Sequence, residues 1–380
     1  MKAHGIIAAT AALGALALAG CGSSGSGTNA AAATCATSIG MEGPLTGPVA
    51  VLGQEQLHFA ELAVSMDNAA NKTKITIVQG DTQLNPAQAT TVTQQFTSNN
   101  SIVGVVGPAG SQEVEAVGPL FARAGIAFIS GSATNATLTT GKYPTFFRVV
   151  SKDSVQGPED ANYIVQNLHP KALMIIDDQE AYSTGLVSAM TPVFQAASIT
   201  VDHESVSQKT TDFSSIVAKV TPDTSVVVLP WQVASEAQQL GRDLAQQGKN
   251  AVIFGTDGLF SPGTFTIANS YVSSFGPDIN GIAADASIAA AAKAKYGSFG
   301  TFGPPVFAAT HVLDEAIASV CKAGHTPSRL NVLAAVKATN EPSSILGQPI
   351  KFTSGGDLVS GKFFLFKIDS SGSYNLIPSS

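Results

Sequence analysis

The sequence predicts an α/β protein of two doubly wound lobes, each built on its own parallel sheet. Three observations predict it. Short apolar runs alternate with longer amphipathic ones, and the apolar runs are continuous, as strands buried on both faces require. This rhythm runs from residue 38 to about 130 and restarts after Phe147-Arg148-Val149-Val150. Near residue 280 it gives way to mostly helical sequence. Strand–helix alternation implies right-handed crossovers and parallel pairing. With 44% hydrophobic and 12% charged residues, the chain has apolar material for a large core without a disulfide scaffold.

In the first set, Ser38-Ile39-Gly40-Met41 reads as a strand. Residues 54–70 follow as a helix, with Leu57, Ala60 and Val64 on one face. Residues 75–79 are the second strand. A helix then runs to about Phe96, with Asn85 as N-cap and Pro86 at its first position. Ile102-Val103-Gly104-Val105-Val106 is a buried parallel strand, followed by a glycine turn, a helix to Ala124 and a strand at 127–129. In the second set, strands are expected at 172–176, 199–203, 225–229 and 251–254, with helices at 155–168, 182–197, 213–220 and 233–247. Helices dominate 281–340, most clearly 306–321 and 330–338. The tail reads as a closing hairpin turning at Asp369-Ser370-Ser371-Gly372.

The head of the chain has a different character. Lys2 gives a positive start, residues 6–19 are apolar apart from Thr10, and Leu18-Ala19-Gly20-Cys21 follows. That is the pattern of a signal peptide over 1–20, and the apolar run is shorter than the ~20 residues a span takes. The last four residues resemble a bacterial lipobox. The resemblance implies that Cys21 takes a diacylglyceryl group, with fatty acyl chains such as palmitate, and anchors the protein on the extracytoplasmic face of the cell membrane. Residues 21–36 are rich in Gly, Ser and Ala and are expected to be a flexible tether.

Of three cysteines, Cys35 and Cys321 remain once Cys21 is assigned. An exported compartment permits disulfides, so these two are either bonded or a pair of free thiols. The formal net charge of −7, with no basic run, argues against nucleic acid as a partner. The six histidines form no H-E-x-x-H, and there is no C-x-x-C, Walker or G-x-S-x-G sequence. Gly104, Gly107 and Gly110 are wrongly spaced for a dinucleotide fingerprint. No cofactor, metal or catalytic residue is expected, and the chain is read as a monomer and not an enzyme.

Six segments in order carry a resemblance. They are Gly43-Pro44-Leu45-Thr46-Gly47, Gly107-Pro108-Ala109-Gly110-Ser111, Ile129-Ser130-Gly131-Ser132-Ala133-Thr134, Arg148 with Asp153-Ser154-Val155-Gln156-Gly157, 177–185, and Gly255-Thr256-Asp257-Gly258. Together they resemble the leucine/isoleucine/valine-binding proteins, type I periplasmic solute receptors of ABC importers. The resemblance implies two lobes joined by a three-strand hinge, with crossings near 147–150, 271–275 and 346–352. Lobe one would comprise 37–149 and 277–346, and lobe two 150–276 and 347–380. It also implies a small-molecule ligand, an amino acid by preference, and permease subunits as membrane partners.

The site follows position by position. Ligands of parallel sheets bind beyond the carboxyl ends of strands, where these segments lie. Ser111 opens a helix after a glycine turn, which suits an anion, although a plain N-cap serine would look the same. By resemblance, Ser111 and Thr134 hold the ligand carboxylate, and the Ser132 carbonyl accepts from its ammonium. Asp257 would pair with that ammonium, against the simpler reading of a turn aspartate. Tyr182 matches an aromatic residue covering the ligand, or else is a packed helix-start tyrosine. Leu52 stands where these receptors often carry an aromatic residue, which puts the pocket's shape in question. Trp231, the only tryptophan, lies on a loop at a strand end, placed to wall the pocket or to sit on its rim. Phe260 is a further candidate. The functions that fit are an importer receptor, a sensory receptor of the same fold, or a receptor for amides, urea or small carboxylates. A lipid-anchored enzyme on an α/β fold is the remaining class.

Overall fold

The structure, a computed structural model, describes residues 35–378. The signal peptide, Cys21 and nearly all of the tether lie outside the described residues.

Lobe one begins with β1 (Ala36–Gly43), α1 (Ala50–Asn71), β2 (Lys74–Asp81), α2 (Pro86–Ser98) and β3 (Ile102–Val106). It continues with α3 (Ser111–Ala124), β4 (Ala127–Ser130) and β5 (Phe146–Arg148). These strands form a five-stranded parallel sheet in the order β2-β1-β3-β4-β5. The second set is α4 (Asp153–Tyr163), β6 (Ala172–Asp177), α5 (Ala181–Ala196), β7 (Thr200–Ser205), α6 (Ser214–Ala218), β8 (Thr224–Leu229), α7 (Ala234–Gln246), β9 (Val252–Gly255) and β10 (Tyr271–Ser274).

Three helices then follow, α8 (Ala286–Tyr296), α9 (Gly303–Lys322) and α10 (Arg329–Lys337). A short antiparallel ribbon of β11 (Asn340–Glu341) and β12 (Ile350–Lys351) comes next. The tail hairpin, β13 (Phe364–Ile368) and β14 (Tyr374–Ile377), joins the second sheet antiparallel, giving the order β14-β13-β10-β9-β8-β6-β7. Among the described residues no helix is long and apolar enough to cross a membrane.

Local chemistry sets several of these elements. Asn85 Oδ1 accepts from Ala87 N at 2.9 Å and Gln88 N at 3.2 Å, and Pro86 lacks the N–H that a first helical residue would leave unbonded. All five residues of β3 are buried, as the uninterrupted apolar run requires. Helix α9 returns to lobe one and packs with α1 over the first sheet, burying Val306, Ala309, Leu313 and Ile317 in one core. Gly104 permits this approach, since a Cβ there would lie 2.5 Å from Leu313 Cδ1. The second lobe has separate cores on each face of its sheet.

Three local features were not legible. Helix α1 starts at Ala50, four residues before the predicted Gln54, because Gly53 lets the first turn sit against the Pro44 carbonyl. The helix predicted over 155–168 instead begins at Asp153 and closes in a π-helical turn, Ile164–Leu168. Cys35 and Cys321 are bonded, tying the start of β1 to the end of α9 across 286 residues.

Candidate functional site

The site lies where the carboxyl ends of β3, β4 and β9 meet the starts of α3, α4 and α5. Ser111 is fully buried at the first position of α3, and its Oγ accepts from Asn135 N at 3.2 Å. That bond joins the α3 start to the loop carrying Thr134. Behind it, Gly110 N donates to Glu113 Oε2 at 2.7 Å, and burial pushes the Glu113 carboxyl up to about 7. The Ser132 hydroxyl is committed locally, donating to Ala109 O and accepting from Gln56 Nε2, both at 2.9 Å. What Ser132 can still offer a ligand is its backbone.

Thr134 is fully buried, and its Oγ1 has no hydrogen-bond partner. Its carbonyl accepts from Asp153 N at 2.9 Å, which sets the start of α4 against the same loop. Both Asp153 carboxylate oxygens are buried and unpartnered. Burial pushes Asp153 up to about 7, against the pull of the Thr134 hydroxyl beside it and with the Asp257 charge adding to the rise. Gln156, one turn on, donates through Nε2 to Ser273 Oγ at 2.9 Å and leaves Oε1 unpartnered. Unbonded buried polar atoms are rare and costly, and here they gather at one place.

Asp257 follows β9 in the same lobe as Asp153 and Gln156 and is 2% exposed. Tyr182 Oη donates to Asp257 Oδ1 at 2.8 Å, accepts from Gly258 N at 3.0 Å and lies 2.7 Å from Thr256 Oγ1. Burial pushes the Asp257 carboxyl up to about 7 as well. Taking an ion out of water costs several kcal/mol, which is the cause of both upward shifts, and a cation placed beside either carboxyl would lower them.

Arg148, the last residue of β5, positions the loop. Its Nη1 donates to Asn135 O at 2.8 Å and Ala133 O at 3.2 Å, on either side of Thr134. Its Nε donates to Asp357 Oδ1 at 2.7 Å. Two further bonds span the lobes. Gln112 Nε2 donates to Gln232 Oε1 at 2.9 Å, and Asn135 Nδ2 donates to Ala181 O at 2.6 Å.

Of the predicted residues, Ser111, Thr134, Tyr182 and Asp257 are linked through Asn135 and Asp153, while the Ser132 hydroxyl is bonded within lobe one. Leu52 lines a cavity of about 180 Å³ with Val49, Ala234, Phe260, Phe302 and Gly258, the residue after Asp257. Trp231 does not join them. Its indole is 1% exposed, donates from Nε1 to Ile176 O at 2.7 Å and packs on Phe213 in the lobe-two core. The expectation of a pocket wall or rim fails because a strand-end loop that folds back over its own sheet buries its largest side chain there. Asp153, Gln156 and the positioning role of Arg148 were missed. All three stand in a motif already singled out, and the signal available was an acidic residue opening a helix beside an apolar strand.

The sequence profile of the periplasmic binding proteins matches residues 36–373. The chain belongs to that family. Its members are solute-binding components of transporters rather than enzymes, and they work outside the cytoplasm. Among the relatives is the Leu/Ile/Val-binding protein homolog 3 of Brucella melitensis, 28% identical over 350 residues, covering 90% of this chain and 93% of the relative. The leucine-specific-binding protein of Salmonella typhimurium is 27% identical over 344 residues, covering 88% and 91%. Of solved structures, the leucine-binding protein LivK of Thermotoga maritima has a TM-score of 0.82 at 18% identity, covering 90% and 98%. LivJ of Streptococcus pneumoniae, in complex with isoleucine, has a TM-score of 0.79 at 23% identity, covering 90% and 99%. A Rhodopseudomonas palustris solute-binding protein in complex with benzoate has a TM-score of 0.78 at 19% identity, covering 90% and 95%. These structural likenesses establish the type I periplasmic-binding-protein fold.

Proposed function

We propose that this periplasmic binding protein captures an α-amino acid with an apolar side chain between its two lobes and delivers it to an ABC permease. One observation carries the reading. Two buried carboxyls, Asp153 and Asp257, lie close enough to feel each other's charge, and Asp153 sits against the Thr134 loop, which Asn135 ties to Ser111 at the start of α3. The arrangement suits a zwitterion. Free backbone N–H groups at the helix start and the Ser111 and Thr134 hydroxyls take the carboxylate, while Asp257 and Asp153 take the ammonium. A small acid without an amine would leave both aspartates buried and unpaired, so the reading favours an amino acid over the benzoate-type ligand of one structural relative. The amino-acid ligands named for the other relatives agree.

Two hydrogen bonds join the lobes in this conformation, and a ligand bridging both lobes would favour it over a more open one. In this reading the chain crosses between lobes near 147–150, 271–275 and 346–352, and these segments act as the hinge. The lipobox-like Cys21 then keeps the receptor beside its membrane partner. Mass spectrometry of the N-terminal peptide, carrying either an acylated or a free Cys21, tests that anchor.

Isothermal titration against the protein amino acids, with benzoate and urea alongside, tests the ligand assignment. Saturable binding of one or a few apolar amino acids, abolished in Asp257→Ala with the fold retained, is the expected result. Tight binding of benzoate with no response to any amino acid would overturn it.

A further inference from the structure

A second polar cluster lies on lobe one, away from the cleft. It sits where the last turns of α1 cross α9. On α9, His311, Asp314 and Glu315 share one face by the three- and four-residue spacing of a helix. Asp67 of α1 faces them, and His311 Nδ1 lies 2.9 Å from Asp67 Oδ1 and 3.0 Å from Oδ2. Asp67, His311 and Glu315 can each offer one ligand atom, all within 4.8 Å of one another. Glu341 of β11 closes the rim, its Oε2 4.0 Å from His311 Nε2. Asn71 Nδ2 donates to Glu315 Oε1 at 2.5 Å, holding that carboxylate in place with its other oxygen free of that bond. Lys322 Nζ in turn donates to Asn71 Oδ1 at 2.8 Å and keeps its charge one residue back.

Beneath them is Asp314, 1% exposed, with both carboxylate oxygens unpartnered. It faces Asp67 and His311. Four carboxyl groups therefore surround one imidazole. A helix-packing role alone would be filled at less cost by apolar residues.

We propose that Asp67, His311 and Glu315, backed by Asp314, bind a divalent transition-metal ion that clamps α1 to α9. The donor set is one imidazole nitrogen with carboxylate oxygens, which suits Zn²⁺, Co²⁺ or Mn²⁺. Ca²⁺ and Mg²⁺ are poor fits because they take all-oxygen sets and, for Ca²⁺, more ligands. Ligands about 2.1 Å from one ion subtend roughly a right angle when they are as close as His311 Nδ1 and Asp67 Oδ1. A small opening of that pair gives a tetrahedral site. His311 is 35% exposed, so an ion has a path in from solvent. The site is distinct from the amino-acid cleft. Glu55, which lines the cavity beside Leu52, precedes Asp67 by about 18 Å of helix rise.

The experiment titrates ZnCl₂ into tag-free protein freed of metal by chelation, followed by calorimetry and thermal unfolding. Co²⁺ serves as a spectroscopic probe. The expected results are one saturable ion per chain, a raised Tm and visible Co²⁺ ligand-field bands. His311→Asn and Glu315→Gln should each weaken binding at least about tenfold, the cost typical of a lost ligand or its support. His203→Asn, removing the other histidine paired to a carboxylate, should leave binding unchanged. Partly exposed Glu315 keeps the test available if the His311 variant does not fold. Absence of saturable Zn²⁺ uptake, or uptake unaltered in both cluster variants, overturns the proposal.

Discussion

Tyr182 Oη donates to Asp257 Oδ1 at 2.8 Å, across a site in which both side chains are buried. The tyrosine thus orients the carboxyl. Tyr182→Phe should weaken amino-acid binding by about 1–3 kcal/mol, the cost of an unsatisfied buried group, whereas Asp257→Ala should abolish it. Calorimetry on both variants, with circular dichroism to confirm folding, checks the order.

Binding and stability should both depend on pH. Asp153, Asp257 and Glu113 are each pushed up to about 7 in the folded protein, above the ordinary range they have when unfolded. A carboxyl raised on folding adds stability that is complete below its unfolded value and is lost as pH rises through the folded one. The ligand-free protein should therefore lose Tm as pH rises from about 4 to 7, with Asp153→Asn flattening the profile. Amino-acid affinity should run the other way and fall as pH drops below about 7, because the ammonium needs the ionised carboxylates. Thermal scans and titrations across that range measure both.

Arg148 should matter for stability as well as binding. Arg148→Met leaves the Ala133 and Asn135 carbonyls without their donor and Asp357 with only Lys152, 2.9 Å away. A loss of about 3 kcal/mol or more in urea unfolding is expected, together with weaker ligand binding as the Thr134 loop loosens.

The Cys35–Cys321 bond closes a loop of 286 residues. Cys321→Ser should lower stability by about 2–5 kcal/mol in denaturant titration while leaving amino-acid affinity nearly unchanged.

The cavity beside Leu52 should set side-chain preference. Leu52→Tyr, which fills much of it, should weaken binding of large apolar amino acids by about 10- to 200-fold and spare alanine. Competition titrations with alanine and leucine read that ratio.

Much of this was legible in the chain. The continuous apolar run 102–106 became the fully buried β3, and Asn85-Pro86 capped α2 as written, because both depend on neighbouring residues alone. Ser111, Thr134, Tyr182 and Asp257 were singled out through the resemblance, each beyond a strand end, and the fold links them through Asn135 and Asp153. Trp231 shows the limit. Its loop position was readable, but whether its ring turned to the cleft or to its own sheet depended on Phe213 and Ile176, distant in sequence. The same holds for the cluster at His311, whose partner Asp67 lies on another helix.

By itself, then, the sequence determined two parallel-sheet lobes and the loops at their strand ends. These follow from periodicity and local composition. Only the tertiary structure decided the strand orders, the return of α9 to lobe one, the pairing of Cys35 with Cys321, and the meeting of Asp153 with Asp257. Each of these brings together residues far apart along the chain, and no local preference encodes such a contact. The raised pKa values of the two aspartates arise only when burial removes the water that would otherwise solvate their charges.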